Sequence, residues 1–252
     1  MSFDPAVSLA LAFAVSAAAG WIDAIAGGGG MITVPFLLNL GLPPSLALGT
    51  NKFQSSFGSM ASSWRYAKSG ELERKTVLWG VLFTLFGAFF GSWLVQRLKP
   101  VLLGYLIPFL LAGILLYVLF APKFGERGGS AKVSEKSLFC VLGLVLGFYD
   151  GFFGPGTGTL WAAALVLWGG FGLLRATAYT KVMNFTSNIA ALAFFIAGGN
   201  VSYAIGCVMA MGQFLGGRLG ASMAVRGGAR FVRPVFLGAS ACLTAVLFYR
   251  LF

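Results

Sequence analysis

The chain has 252 residues, of which 58% are hydrophobic and 10% charged, with a mean hydropathy of +0.86. Soluble domains carry about 45–50% apolar and about 25% charged residues, so a water-soluble globule is excluded. The net charge of +11 would point to nucleic acid in a soluble protein, but here Lys and Arg fall mostly in short connections between apolar runs. That distribution is a topology signal, not a DNA-binding one.

In chain order the apolar segments are 5–26, 31–40, 46–64, 76–98, 101–121, 137–153, 159–168, 171–197, 201–217 and 233–252. Most are long enough to cross a hydrocarbon core of about 30 Å. Segments 31–40 and 159–168 give only about 15 Å of helix each, half a bilayer. The N-terminal residues carry Asp4 and no Lys or Arg, so the first segment is expected to stay as a membrane segment and not to be cleaved as a signal. Histidine is absent, and Cys140, Cys207 and Cys242 show no C-x-x-C spacing. A histidine-dependent triad is impossible, and no zinc site, disulfide framework or other cofactor is indicated.

Sidedness follows from the cations, because Lys and Arg in short loops stay cytoplasmic. Arg65/Lys68/Arg74/Lys75, Lys123/Arg127/Lys132/Lys136, Arg175 and Arg218/Arg226/Arg230/Arg233 make thirteen; the remaining loops hold Arg97, Lys99 and Arg250. All thirteen are cytoplasmic only if the broken segments 5–40 and 137–168 each enter and leave on one side. Both termini are then periplasmic. The expected fold is an all-α integral membrane protein of two repeats of about five segments, each opened by a glycine-broken hairpin. An odd count per repeat inverts the second relative to the first. Residues 1–125 and 137–252 are the repeats, and 126–136 is a basic cytoplasmic linker.

Internal similarity agrees with this division. Gly20-Trp-Ile-Asp23-Ala-Ile-Ala-Gly27 aligns with Gly147-Phe-Tyr-Asp150-Gly-Phe-Phe-Gly154, and the stretch ending in Lys52 aligns with the one ending in Lys181. Two matches in the same order indicate duplication, although abundant glycine makes local matches easy to find.

Three groups of residues carry candidate chemistry. Gly27–Gly30 and Gly154-Pro155-Gly156-Thr157-Gly158 break a helix, since glycine costs about 1 kcal/mol and proline about 3 kcal/mol relative to alanine. Unpaired backbone at membrane depth is tolerated only against protein or a water-filled cavity, and the following helix would aim its positive dipole end there. Tight helix packing is the simpler role for such glycines, as expected at Gly87/Gly91 and Gly212/Gly216. Lys52 and Lys181 lie inside apolar stretches, at about 2.5–3.5 kcal/mol each on insertion scales. Lys52 shares a face with Ser55, Ser56 and Ser59, and Lys181 with Asn184 and Asn188, which suggests inward polar stripes. Snorkelling to an interface is the alternative for either lysine. Asp23 and Asp150, four residues before the breaks, could pair with the lysines, brace the unwound backbone or take up a coupling proton; the first two are favoured. Trp64, Trp79, Trp93 and Trp168 near segment ends are expected to be interfacial anchors.

Gly20-Trp-Ile-Asp23-Ala-Ile-Ala-Gly27-Gly28-Gly29-Gly30, the following Pro35, and Gly49-Thr50-Asn51-Lys52, repeated more weakly around Asp150 and Lys181, resemble the TauE/SafE sulfite-exporter family along essentially the whole chain. The resemblance implies a carrier of the bacterial inner membrane that moves sulfite, thiosulfate or sulfonates such as sulfoacetate, usually outward. It is weaker in the second half, where Tyr179-Thr180 replaces Thr50-Asn51 and Pro155 replaces Gly28. On this reading the anion sits between the halves. Backbone amides at Gly29, Gly30, Thr33, Thr157 and Gly158 would meet it, Lys52 and Lys181 would supply charge, and Asn51, Gln54, Thr180, Asn184 and Asn188 would orient it. The partners are the anion and the lipid bilayer, with no nucleic acid and a homodimer possible. A cation-coupled carrier centred on Asp23 and Asp150, or an assembly protein without transport, are the rivals; an intramembrane enzyme has no matching constellation.

Overall fold

The computed structural model describes residues 5–120 and 129–251. Within them the chain is all helical: α1 (Pro5–Ala26), α2 (Gly29–Asn39), α3 (Pro44–Ala67), α4 (Arg74–Val95), α5 (Pro100–Phe120), α6 (Glu135–Phe152), α7 (Thr157–Leu167), α8 (Leu173–Ala197) and α9 (Tyr203–Leu251). Local chemistry sets the ends. Proline at the first position of α3 has no amide to lose there. The Ser134 side chain caps α6, accepting from Ser137 N at 3.2 Å, with Glu135 in the first turn facing the positive dipole end.

The surface is apolar, and the polar side chains within the helices are turned inward beside hydrophobic core clusters, as a bilayer solvent favours. Leu78, Val101, Phe109 and Leu219 are largely exposed, whereas Thr50, Lys52, Gln54, Lys181 and Ser187 are buried. Helices α1, α4 and α5 combine spanning length with a nearly unbroken apolar sequence. Helices α3 and α8, with 24 and 25 residues, are long enough at about 1.5 Å per residue, but their inward faces are polar. Their hydroxyls are largely satisfied locally: Ser56, Ser62, Thr177, Thr180, Thr186 and Ser187 each donate to the carbonyl four residues back.

Expectation and structure differ at the C-terminal end. Segments 201–217 and 233–252 are two helical stretches, as expected, together labelled α9 and parted at Gly228 (φ 62° and ψ −162°), but the first runs well past residue 217 into what was expected to be a basic connection. Arg218 and Arg226 therefore sit on helix. Alanine and arginine are strong helix formers, so this connection has little reason to unwind outside its glycines. Lys123, Arg127 with the rest of linker residues 126–128, Asp4, and the side chains of Cys242 and Arg250 lie outside the described residues.

Helix α1 packs mainly on α9, α4 on α6, and α3 on both α8 and α9. Glycine makes the closest of these contacts possible. A Cβ at Gly216 would overlap Ala17 O, and one at Gly220 would overlap Trp21 O; Gly87 and Gly91 stand likewise against Leu144 O and Phe148 O, and Gly212 against Ser16. The packing role expected of Gly87/Gly91 and Gly212/Gly216 is what these positions show. Trp64 and Trp168 are exposed at helix ends, and Lys68, Lys136 and Arg97 lie over Trp64, Trp79 and Trp93 at 5.1, 4.3 and 3.8 Å, as suits interfacial anchors.

The described basic segments gather at one end of the bundle. Arg175 reaches Glu73 at 3.7 Å, Thr76 donates to Glu135 at 2.9 Å, and Lys132 N donates to Trp168 O at 2.9 Å. Tyr66, Leu173 and Val232 share one core cluster there. At the other end Val95, Leu103 and Val201 pack together and Asn200 donates to Gln96 at 2.9 Å.

Substitution by alanine separates packing from propensity. Gly91→Ala and Gly216→Ala are expected to destabilise the protein by about 1–3 kcal/mol through overpacking. Gly113→Ala, with open space around it, gains helix propensity of up to about 1 kcal/mol. Thermal unfolding in detergent reads both signs.

Candidate functional site

Each glycine break ends one helix and starts a short one. Gly27 and Gly28 (φ 80° and 89°) separate α1 from α2, and Gly154 and Gly156 (φ 101° and 83°) separate α6 from α7. Left-handed backbone of this kind is routine only for glycine. Gly28 and Gly156 are the N-caps of α2 and α7, and neither offers a side chain to cap the first-turn amides. The breaks lie against each other: a Cβ on Gly27 would stand 2.6 Å from Gly158 C, and Thr159 Oγ1 donates to Ala26 O at 3.3 Å. Two helix N-termini, worth about half a positive charge each, thus meet in the protein interior.

Where they meet is a small polar cavity of about 30 Å³. Its wall includes Gly30, Asn51, Lys52, Thr157, Gly158, Asn184 and Asn188, together with Asp23 and Asp150. Gly29, Thr33, Gln54, Thr180 and Lys181 stand behind it. Thr33 Oγ1 and Gln54 Nε2 donate to Asn51 Oδ1 at 2.7 and 3.1 Å. That holds the Asn51 carbonyl away from the cavity and leaves its amide NH2 to face inward. The Thr180 hydroxyl donates to Ala176 O at 2.8 Å. Asn184 Oδ1 is buried with no hydrogen-bond partner, an uncommon state for a polar atom.

Both lysines are buried to 1% exposure, so neither snorkels. Each meets the aspartate that precedes the other break. Lys52 Nζ lies 2.5 Å from Asp150 Oδ1 and donates to Asn188 Oδ1 at 3.3 Å; Ser187 donates to the second Asp150 oxygen. Lys181 Nζ lies 3.1 Å from Asp23 Oδ2 and also donates to the Asp23 carbonyl. Asp23 Oδ1 accepts from Gly29 N at 3.1 Å, so this carboxylate pairs with a lysine and braces the break at once. Tyr149 donates to Pro155 O at 2.7 Å and steadies the second break. The four charged side chains sum to zero, and the net positive potential left in the cavity comes from the two helix ends.

Sequence reasoning did not single out Ser187 or Tyr149, whereas Gly154 and Gly156 fall in the glycine-rich break it named. Ser187 was accessible, since it lies near the Lys181/Asn184/Asn188 face at helical spacing; Tyr149 shows its role only through its hydrogen bond.

Removing one partner of a buried pair leaves an uncompensated charge, at about 3–5 kcal/mol. Asp150→Asn is expected to lower the unfolding midpoint markedly, whereas Lys52→Gln/Asp150→Asn, a neutral hydrogen-bonding pair, recovers most of the loss.

Residues 12–247 match the family described as sulfite exporter TauE/SafE. The chain is 40% identical over 241 residues to a "Probable membrane transporter protein" of Haemophilus influenzae, covering 96% of this chain and 94% of that one. It is 40% identical over 235 residues to "Probable membrane transporter protein ORF9" of Sinorhizobium sp, covering 93% and 90%. It is 39% identical over 241 residues to "Probable membrane transporter protein YfcA" of Escherichia coli K12, covering 96% and 90%. No solved structure matches. An end-to-end match of this kind places the chain in the TauE/SafE sulfite exporter family, as a membrane transporter and not an enzyme.

Proposed function

We propose that the protein exports small sulfur-containing anions, among them sulfite, thiosulfate and sulfonates such as sulfoacetate, across the bacterial inner membrane by alternating access. The observation that carries this reading is the convergence of two helix N-termini, each with a glycine at the N-cap, on a polar cavity inside an apolar bundle. With the lysines and aspartates balanced, the helix ends supply about one positive charge in total, which matches hydrogensulfite, the singly charged member of this set. The Asn51 amide and first-turn backbone N–H groups donate to its oxygens, and the lysines strengthen that field as charge-assisted donors. The unpartnered Asn184 Oδ1 accepts from an occupant that retains one O–H, as hydrogensulfite does.

The machinery is read as two inverted repeats, 1–125 and 137–252, each opened by a broken hairpin. Reciprocal contacts support this: Lys52–Asp150 and Lys181–Asp23 exchange partners between the halves. Gly216 against Ala17 and Gly220 against Trp21 mirror Gly87 against Leu144 and Gly91 against Phe148 at the same offsets as the internal repeat. Motion of one bundle against the other about the breaks would open the cavity to each side in turn. The gathering of basic segments at one end supports a cytoplasmic assignment for that end and periplasmic termini. A cation carrier is disfavoured because both carboxylates already hold ammonium groups and, among the described residues, no cluster of three metal-binding side chains exists.

Efflux of labelled sulfite from proteoliposomes tests the site. Lys52→Gln/Asp150→Asn and Lys181→Gln/Asp23→Asn keep the bundle neutral and are expected to slow efflux about tenfold or more, the worth of one charged hydrogen bond. Unchanged efflux in both variants removes the assignment; flux of a cation series but of no anion replaces it. A tag at Met1 is expected to be accessible from the periplasm, and protection there would overturn the inverted arrangement.

A further inference from the structure

Helices α3 and α9 leave a groove along their outer, lipid-facing seam. Its apolar stretch, about 610 Å³, is lined by Phe53, Phe57, Met60, Met211 and Leu215 among others, and a second stretch of about 450 Å³ continues it through the shared Met60 and Phe214. This second stretch ends at Arg65, Lys68 and Arg218. Among the described residues none of these three cations has a carboxylate within salt-bridge distance, although other cations at this end of the bundle do, as Arg175 meets Glu73. Lys68 instead stacks over Trp64, an exposed ring at the groove's edge.

The groove has the dimensions of one lipid leaflet. Twelve residues separate Phe53 from Arg65 on α3 and eleven separate Cys207 from Arg218 on α9; at 1.5 Å per residue these are about 18 and about 17 Å. Half of a hydrocarbon core is about 15 Å. The cations stand where a headgroup lies and the apolar side chains where an acyl chain runs.

We propose that this groove binds one anionic phospholipid, its phosphate held by Arg65, Lys68 and Arg218 and one acyl chain laid between α3 and α9. A zwitterionic lipid fits the apolar part equally well but leaves three clustered cations without net compensation, so the headgroup charge decides. A second copy of the chain is the poorer occupant. A twofold axis along the membrane normal would set the two Arg65/Lys68/Arg218 clusters against each other, and like charges repel.

Native mass spectrometry of the full-length protein, equilibrated in detergent with equimolar phosphatidylglycerol and phosphatidylethanolamine, tests this. One phosphatidylglycerol is expected to be retained at about tenfold or greater preference. Arg65→Gln/Lys68→Gln/Arg218→Gln is expected to abolish the preference, and Arg65→Lys/Arg218→Lys to keep it. Equal retention of the two lipids by the unaltered protein overturns the proposal even if the triple variant does not fold. So does a preference that survives in the triple variant, displacement of the lipid by millimolar inorganic phosphate, or a lipid-free dimer as the main species.

Discussion

Two ammonium groups buried in a membrane bundle dictate most of what surrounds them. A lysine in hydrocarbon is tolerable only with a counter-charge and saturated hydrogen bonds, and here each finds the aspartate that precedes a helix break. That requirement fixes how α3 and α8 face each other, which breaks they stand beside, and why hydroxyls and amides line the seam. It also moves the source of positive potential. With the side-chain charges cancelled, backbone dipoles at the starts of α2 and α7 set the sign of the cavity, and the lysines act as polarising donors rather than free charges.

The glycines divide into two physical roles that look alike in the sequence. Gly87, Gly91, Gly216 and Gly220 keep helical backbone and let partner helices approach until carbonyl oxygens would collide with any Cβ. Gly28 and Gly156 take left-handed backbone, end one helix and present the first amides of the next to the cavity. Spacing distinguishes them: the packing residues recur every four positions within long helices, whereas the breaks are clustered and precede runs too short to span.

Much of this was legible beforehand. The helix order, the two half-length helices and the inward stripes on α3 and α8 follow from hydropathy and from the cost of placing lysine, serine and asparagine in lipid. Nine of the residues singled out for the site, including both aspartates, reach one cavity wall. What was hidden depended on three-dimensional pairing. Sequence raised lysine–aspartate pairing without showing which carboxylate meets which amine, that Asn51 spends its carbonyl on Thr33 and Gln54, or that Thr180 turns its hydroxyl to its own helix. The length of the helix before Gly228 was hidden for another reason: charged residues lower hydropathy without weakening helix propensity, so Arg218 and Arg226 read as a connection although they extend a helix.

The exchanged ion pairs have a consequence for how the protein is made. Lys52 waits for a counter-ion 98 residues further along the chain, and Asp23 for one 158 residues further. While the ribosome is still delivering the second half, the first holds an amine and a carboxylate whose eventual partners have not yet been inserted. Ion pairing is completed only when α6 and α8 arrive, so a truncated translation product carries an electrostatic mark of its incompleteness.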